Sequence, residues 1–141
     1  MAASTAPPNS ITHPTAGSAR SGTDWTGWCV RVTSTVSAVL LANQAVFAGQ
    51  FLAGTYPALH THRENATLAG ISVIVSMLAT VAAWRPGRRP WWPIAANAAL
   101  FGLIAVQIIM GFARILAVHI PLGVTIIGAG IALAIRAWRV R

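Results

Sequence analysis

The sequence predicts an all-α integral membrane protein, an up-down-up-down four-helix bundle preceded by a disordered N-terminal tail. Composition is the first observation that supports this fold class. Of the 141 residues, 55% are hydrophobic and 9% are charged, with a mean hydropathy of +0.64, whereas about 25% of the residues of an ordinary soluble domain are charged. The second observation is that the apolar residues form four long uncharged runs. The third is that the ten basic residues, all arginine, lie at the edges of those runs.

Four segments have the length of membrane-spanning helices. A helix needs about 20 apolar residues to cross roughly 30 Å of hydrocarbon, and such runs occupy about residues 32–54, 66–84, 93–113 and 117–136. Because lipid offers backbone amides no partner, a spanning run is helical or part of a closed barrel, and unbroken apolar runs fit helices. The short connections between the runs predict antiparallel neighbours in a bundle.

The N-terminal segment differs in composition from the rest of the chain. Residues 1–24 are rich in Ser, Thr, Ala, Pro and Gly, with too little apolar surface to offset the entropy of ordering. We therefore expect a disordered cytoplasmic tail over residues 1–26, followed by a four-helix domain over residues 27–141. No basic stretch leads into a short apolar core with a cleavage site, as it would in a signal peptide.

The excess of arginine indicates membrane topology and predicts no nucleic-acid partner. The net charge is +8, but the arginines flank apolar runs and do not form a basic patch interleaved with polar surface. Eight of the ten arginines and all six tryptophans lie on the side of the predicted bundle that holds both termini. The positive-inside rule makes that side cytoplasmic. We therefore expect a multi-pass protein of the inner (plasma) membrane whose partners are the lipid bilayer and either a second copy or a larger membrane complex.

Polar residues within the predicted spans are the first place to look for function. Apart from Arg136 at the very end of the fourth span, no Asp, Glu, Lys or Arg lies inside a span. The lack of a carboxylate argues against a proton-coupled transporter, because such proteins normally carry one there. We interpret Asn43, Gln44 and Asn97 as partners in interhelical hydrogen bonds. Small residues four apart, which permit close helix packing, occur at Ser34 and Ala38, at Ala98 and Gly102, and at Gly130 and Ala134.

A pair of histidines at the outer ends of helices two and four indicates a cofactor site. His62, in a predicted outer loop of residues 59–64, comes 22 residues before Trp84, and His119 comes 19 residues before Trp138. At a rise of about 1.5 Å per residue, their heights differ by only ~5 Å. Two imidazoles at one depth on non-adjacent helices are what a six-coordinate haem iron requires. We therefore predict a b-type haem with His62 and His119 as its metal ligands.

The neighbours of the histidines refine this prediction. Ala66 and Gly123, each one turn after a histidine, leave room for a flat macrocycle. His60 remains an alternative ligand, although Leu68 on its helix face leaves less room. Two amides could hydrogen-bond to haem propionates or to histidine, and two arginines could neutralise propionates. These further cofactor contacts are Gln50, Gln107, Arg63 and Arg114.

The two histidine segments resemble a known family. LHTHRENATLAG at the start of helix two and AVHIPLGV at the start of helix four are similar to helix starts in small uncharacterised bacterial four-helix membrane proteins and in one half of the haem A synthase family. Each half of that family has a histidine at the outer end of its second and fourth helices, and a His-Arg pair opens the second. His62-Arg63 and His119 match those places. The resemblance covers about residues 30–137 and implies a haem site.

Two departures from the family shape what the resemblance implies. The synthase has two such halves in one chain, so a counterpart with one half would need to dimerise. The family also has a glutamate, implicated in its chemistry, three residues before the second-helix histidine, where this chain has Leu59. The resemblance therefore implies haem binding or electron transfer more than oxygenation, and we assign no catalytic residue.

Two other interpretations of the sequence stay open. The chain is alternatively a cofactor-free structural or accessory subunit of a larger membrane complex, with the histidines as interfacial polar residues. A small oligomeric transporter or channel is the weaker alternative, because no ionisable residue lines a pathway through the spans.

Overall fold

The computed structural model describes residues 24–84 and 90–139, and these form four α-helices. Each helix is long and apolar enough to cross a membrane. Within the described residues there is no strand, so the predicted all-α four-helix fold is confirmed. In chain order the helices are α1 (Trp25–Leu52), α2 (Ala58–Ala83), α3 (Trp92–Phe112) and α4 (Leu116–Arg139).

The first two helices begin earlier than the apolar runs that predicted them. The Asp24 side chain accepts a hydrogen bond from the Gly27 amide at 3.1 Å and caps α1, as short acidic side chains do at helix N-termini. The helix α2 begins at Ala58, so residues 59–64, predicted as a loop, form its first turns. Hydropathy identifies only the part of a helix that is apolar enough for the hydrocarbon layer. The helix itself continues beyond that part into residues with polar side chains. Trp25 and Thr26, which were expected to belong to the disordered tail, are the first residues of α1. Residues 1–23 of that tail and the arginines at 85, 88 and 89 lie outside the described residues.

The helices pack in a ring that follows chain order. Both α1 and α3 contact α2 and α4, whereas neither diagonal pair packs directly along its length. The connections at residues 53–57 and 113–115 are short, which makes the helices that they join antiparallel neighbours. As a consequence, α2 and α4 stand on opposite sides of the bundle axis, and both begin at the same end.

The bundle has a narrow core and a wide apolar exterior. Leu41, Ala69, Val73, Leu100, Ile104 and Ile126 form the buried core. Large apolar side chains such as Val39, Leu78 and Ile109 are exposed on the outside, at 54%, 58% and 59% of their surface. Apolar surface on that scale is a liability in water and suits contact with lipid tails.

The two ends of the bundle differ in chemistry. At one end, Trp28 and Trp138 meet edge to face with ring centroids 5.5 Å apart, and the Arg136 guanidinium lies 4.4 Å from the ring centroid of Trp92. We call this end, where α1 and α3 begin, the tryptophan end. The opposite end, where α2 and α4 begin, is the histidine end.

Candidate cofactor site at the histidine end

His62 and His119 meet across the diagonal of the bundle. Each lies in the first turns of its helix, because α2 begins at Ala58 and α4 begins at Leu116. Their ring centroids are 6.3 Å apart and their planes are inclined at 60°. Since α2 and α4 do not pack against each other, the two rings bridge the space between them at this level.

Main-chain carbonyl groups hold both rings. Nδ1 of His62 lies 3.2 Å from the carbonyl oxygen of Gln44, and Nδ1 of His119 lies 2.9 Å from the carbonyl oxygen of Gln107. A carbonyl oxygen only accepts, so Nδ1 of each ring donates its proton. In the neutral imidazole the lone pair is then on Nε2, which is the form that binds a metal.

The same arrangement occurs once in each half of the bundle. In both halves, a glutamine on the first helix of a pair offers its carbonyl oxygen to a histidine on the second, with Gln44 and His62 in α1 and α2, and Gln107 and His119 in α3 and α4. The second pairing is reinforced, because Nε2 of Gln107 donates to the carbonyl oxygen of His119 at 2.8 Å. The two histidines are thus oriented by equivalent contacts from neighbouring helices.

Two glycines allow the close approach of α3 and α4. A Cβ atom on Gly111 would lie 2.9 Å from Cε1 of His119, so the imidazole ring packs directly on the backbone of α3. A Cβ atom on Gly123 would lie 2.8 Å from Nε2 of Gln107. Gly123, expected to make room for a macrocycle, therefore makes room for the Gln107 amide.

A cavity of about 380 Å³ surrounds the two histidines. All four helices contribute to its walls, and a volume of this order is typical of a small-molecule site. Apart from the histidines and a few polar groups, the walls are apolar and include Leu41, Phe51, Ile104, Phe112, Ile120 and Ile126.

Two glutamine side chains bring unsatisfied polar atoms to this cavity. Both amide atoms of Gln44 and the amide oxygen of Gln107 are buried with no hydrogen-bond partner among the described residues, and both side chains line the cavity. A buried polar group without a partner costs about 1–3 kcal/mol. The cavity therefore contains polar atoms that can bond to a ligand, because no other described residue of the protein bonds to them.

The other residues predicted for the site are dispersed. Arg63 lines the cavity, with its guanidinium 5.6 Å from the ring centroid of Phe112. His60 is exposed on the outside of α2, where its Nδ1 lies 3.4 Å from a carboxylate oxygen of Glu64. Gln50 and Arg114 are also exposed, and neither is among the residues that line the cavity.

Sequence reasoning missed two contributors to the site. Gln44 was expected to take part in an interhelical hydrogen bond, and it does so through its main-chain carbonyl, which accepts from His62; its place in the site was not predicted. Gly111 was not predicted, because its proximity to His119 depends on how the turn between α3 and α4 brings the two helices together. Glycine near the end of a helix, just before a short turn and a histidine, is the signal that was present in the sequence.

Within residues 24–84 and 90–139, no group of three or more His, Cys, Asp or Glu side chains gathers around a potential metal position. A haem iron needs only axial ligands from the protein, so two histidines are a sufficient protein donor set for it. Comparison of the chain with protein-family models, with curated proteins and with solved structures found no match.

Proposed function

We propose that this chain is an integral membrane protein that binds b-type haem through His62 and His119 and acts in electron transfer or haem handling. One observation carries the proposal: the two imidazoles stand 6.3 Å apart within a cavity, each with Nδ1 bonded to a carbonyl oxygen. That arrangement leaves both Nε2 atoms available as ligands.

The separation of the rings suits a single metal between them. A metal bound at about 2 Å by one nitrogen of each ring, with the two nitrogens on opposite sides of it, holds the ring centres about 6 Å apart, because each centre lies about 1 Å behind its nitrogen. The observed centroid distance is 6.3 Å. The rings therefore need little movement along the line that joins them to share one iron.

The cavity walls suit the remainder of a haem. Apolar side chains such as Phe51 and Ile126 line the cavity, as an apolar macrocycle requires. Arg63 on the cavity wall offers a positive charge to the propionates. Bound haem would supply one-electron transfer, with its potential tuned by the axial ligands and their surroundings.

We further propose that both termini lie in the cytoplasm and that the histidine end faces the outer side of a plasma membrane. The support is the distribution of arginine and tryptophan along the sequence. Eight of the ten arginines and all six tryptophans lie near the start of α1, around the connection between α2 and α3, or near the C-terminus, and the positive-inside rule assigns such regions to the cytoplasm.

The test is a spectrum of the purified full chain in mild detergent with haem supplied. We expect a b-type signal in the reduced-minus-oxidised difference, lost in His62→Ala and in His119→Ala. His60→Ala is the matched control, because His60 lies on the same helix but is exposed, and it should retain the signal. A folded protein that stays colourless at full haem supply would refute the proposal, as would equal loss in all three variants.

A cofactor-free accessory subunit is the second candidate. It is favoured by the hydrogen bonds from both rings to carbonyl groups of neighbouring helices, since such bonds also stabilise a bundle without a ligand. Two results together would support this candidate over the first. The wild-type protein would be colourless, and His62→Ala and His119→Ala, but not His60→Ala, would have a lower thermal stability than the wild type.

A further inference from the structure

We propose that the same cavity also binds a bare divalent transition-metal ion, Cu²⁺ in preference to Zn²⁺, in competition with haem. The ion would take Nε2 of His62 and His119 and the amide oxygens of Gln44 and Gln107. The inference goes beyond the proposed function, because it concerns a different ligand and does not require that haem binds.

The first support is that the two imidazoles in the cavity wall each present an electron pair. Nδ1 of each imidazole donates its proton to a main-chain carbonyl oxygen, so each Nε2 carries a lone pair. A guest that is itself only an acceptor, such as a carbonyl compound, finds no proton on these rings. A metal ion is a complementary guest for these two nitrogens, and the ring separation of 6.3 Å matches the roughly 6 Å between two imidazoles that bind opposite sides of one ion.

The second support is the pair of unsatisfied amide oxygens. Oε1 of Gln44 and Oε1 of Gln107 are buried without a partner among the described residues. The Gln107 amide is oriented, because its Nε2 bonds to the carbonyl oxygen of His119 at 2.8 Å, which leaves the oxygen as the unused atom. Coordination to a cation satisfies such an oxygen without a donor from the protein.

The donor set selects the kind of ion. Two imidazole nitrogens with two neutral oxygens form a mixed N,O set, which is typical of Cu²⁺ or Ni²⁺ in tetragonal geometry. The affinity order of first-row divalent ions also places Cu²⁺ above Ni²⁺ and Zn²⁺. Haem and the ion need the same two Nε2 atoms, so binding of one excludes the other.

Arg63 distinguishes the two ligands by charge. Arg63 lines the cavity, and its guanidinium lies against Phe112, another lining residue. From there its positive charge attracts the carboxylates of a haem and repels a bare cation. Arg63→Gln should therefore tighten Cu²⁺ binding several-fold and weaken haem binding. An effect in the same direction on both ligands would contradict the charge argument and, with it, the location of the ion.

The test uses the haem-free full chain in detergent, with any affinity tag removed, titrated with copper sulfate against a competing chelator. We expect one Cu²⁺ per chain with an electron paramagnetic resonance signal split by two imidazole nitrogens. His62→Ala and His119→Ala should each lower the Cu²⁺ affinity at least tenfold, whereas His60→Ala should leave it unchanged. Zinc sulfate should bind at the same stoichiometry and more weakly.

Two results would overturn the inference. One is binding that falls as much in His60→Ala as in His62→Ala, which would place the ion on the exterior of α2. The other is undiminished Cu²⁺ binding to haem-loaded protein. The failures are separable, since a chain that binds haem but excludes Cu²⁺ refutes only this inference, and a chain that binds Cu²⁺ but never haem refutes only the proposed function.

Discussion

Replacement of Gly111 by alanine is the sharpest test of how the site is built. The added Cβ would lie 2.9 Å from Cε1 and 3.1 Å from Nδ1 of His119. Ordinary van der Waals contact for a Cβ atom begins near 3.4 Å, so the ring must retreat by about half an ångström. That movement acts on the hydrogen bond from Nδ1 of His119 to the carbonyl oxygen of Gln107, which is 2.9 Å long.

Two opposing terms keep the effect of Gly111→Ala on overall stability small. Weakening the hydrogen bond of His119 lowers the free energy of unfolding by about 0.5–1.5 kcal/mol. Alanine is favoured over glycine by at most about 0.8–1.0 kcal/mol, the value for a helix interior, and Gly111 is the second-last residue of α3. The two terms largely cancel, but ligand affinity depends directly on the orientation of the ring, and loss of an orienting contact lowers metal affinity about 10–100-fold.

The assay is a haem titration followed by absorbance, together with thermal unfolding in the same detergent. The matched control is Gly102→Ala on the same helix, since a Cβ at Gly102 would meet nothing within 4 Å. We expect Gly102→Ala to bind haem like the wild type and Gly111→Ala to bind at least tenfold more weakly at nearly unchanged thermal stability. Equal haem affinity in the two variants would show that the His119 ring does not depend on its packing against Gly111.

Three further predictions concern the bundle itself. Asn65→Ala removes the 2.8 Å hydrogen bond from Asn65 Nδ2 to the carbonyl oxygen of Leu40 and should lower the free energy of unfolding by roughly 0.6–2 kcal/mol in a membrane protein, measured by thermal or denaturant unfolding in detergent. The buried hydroxyls of Ser34 and Ser76 are 3.2 Å apart, so a double-mutant cycle with alanine at both should give a coupling of about 0.6 kcal/mol, whereas a value of zero would contradict their pairing. A reporter fused after Arg141 should be active only as a cytoplasmic fusion, because the positive-inside rule places the arginine-rich side there, and external activity would invert the proposed orientation.

The fold was predictable because hydropathy and helix length are strong signals in a membrane chain. The number and order of the helices follow from four apolar runs, and the structure confirms both. It is harder to predict which face of each helix is buried. Of the small-residue rows, Gly130 and Ala134 are buried, but Ala98 and Gly102 are exposed, because α3 turns residues such as Leu100 inward. Spacing alone shows that small residues share a face, and it does not show which neighbour that face meets.

The position of the site along the bundle axis could be predicted from the sequence, whereas its side-chain contacts were harder to predict. A regular helical rise relates positions along two helices, so the similar heights of His62 and His119 could be calculated from the sequence. The choice between His60 and His62 depends on helix rotation, since residues two apart point about 200° apart on a helix, and the structure turns His60 outward. Asn97 was expected to bond between helices but donates to the carbonyl oxygen of Pro93 in its own helix at 2.9 Å.

The use of main-chain carbonyl groups as histidine partners explains how this site avoids buried charge. A carboxylate in that position would be expensive inside a membrane, but a carbonyl oxygen in a helix has two lone pairs, of which the helix itself uses one. The second lone pair of Gln44 accepts the Nδ1 proton of His62, and it stays in place whatever side chain residue 44 carries. Gln44→Leu therefore removes the unused amide without disturbing the orientation of His62. We expect that variant to keep haem affinity within about threefold while Cu²⁺ affinity falls at least tenfold, because only the bare ion needs the amide oxygen. A parallel loss of both ligands would mean that Gln44 orients His62 through its side chain, and equal retention of both would remove the amide from the metal site.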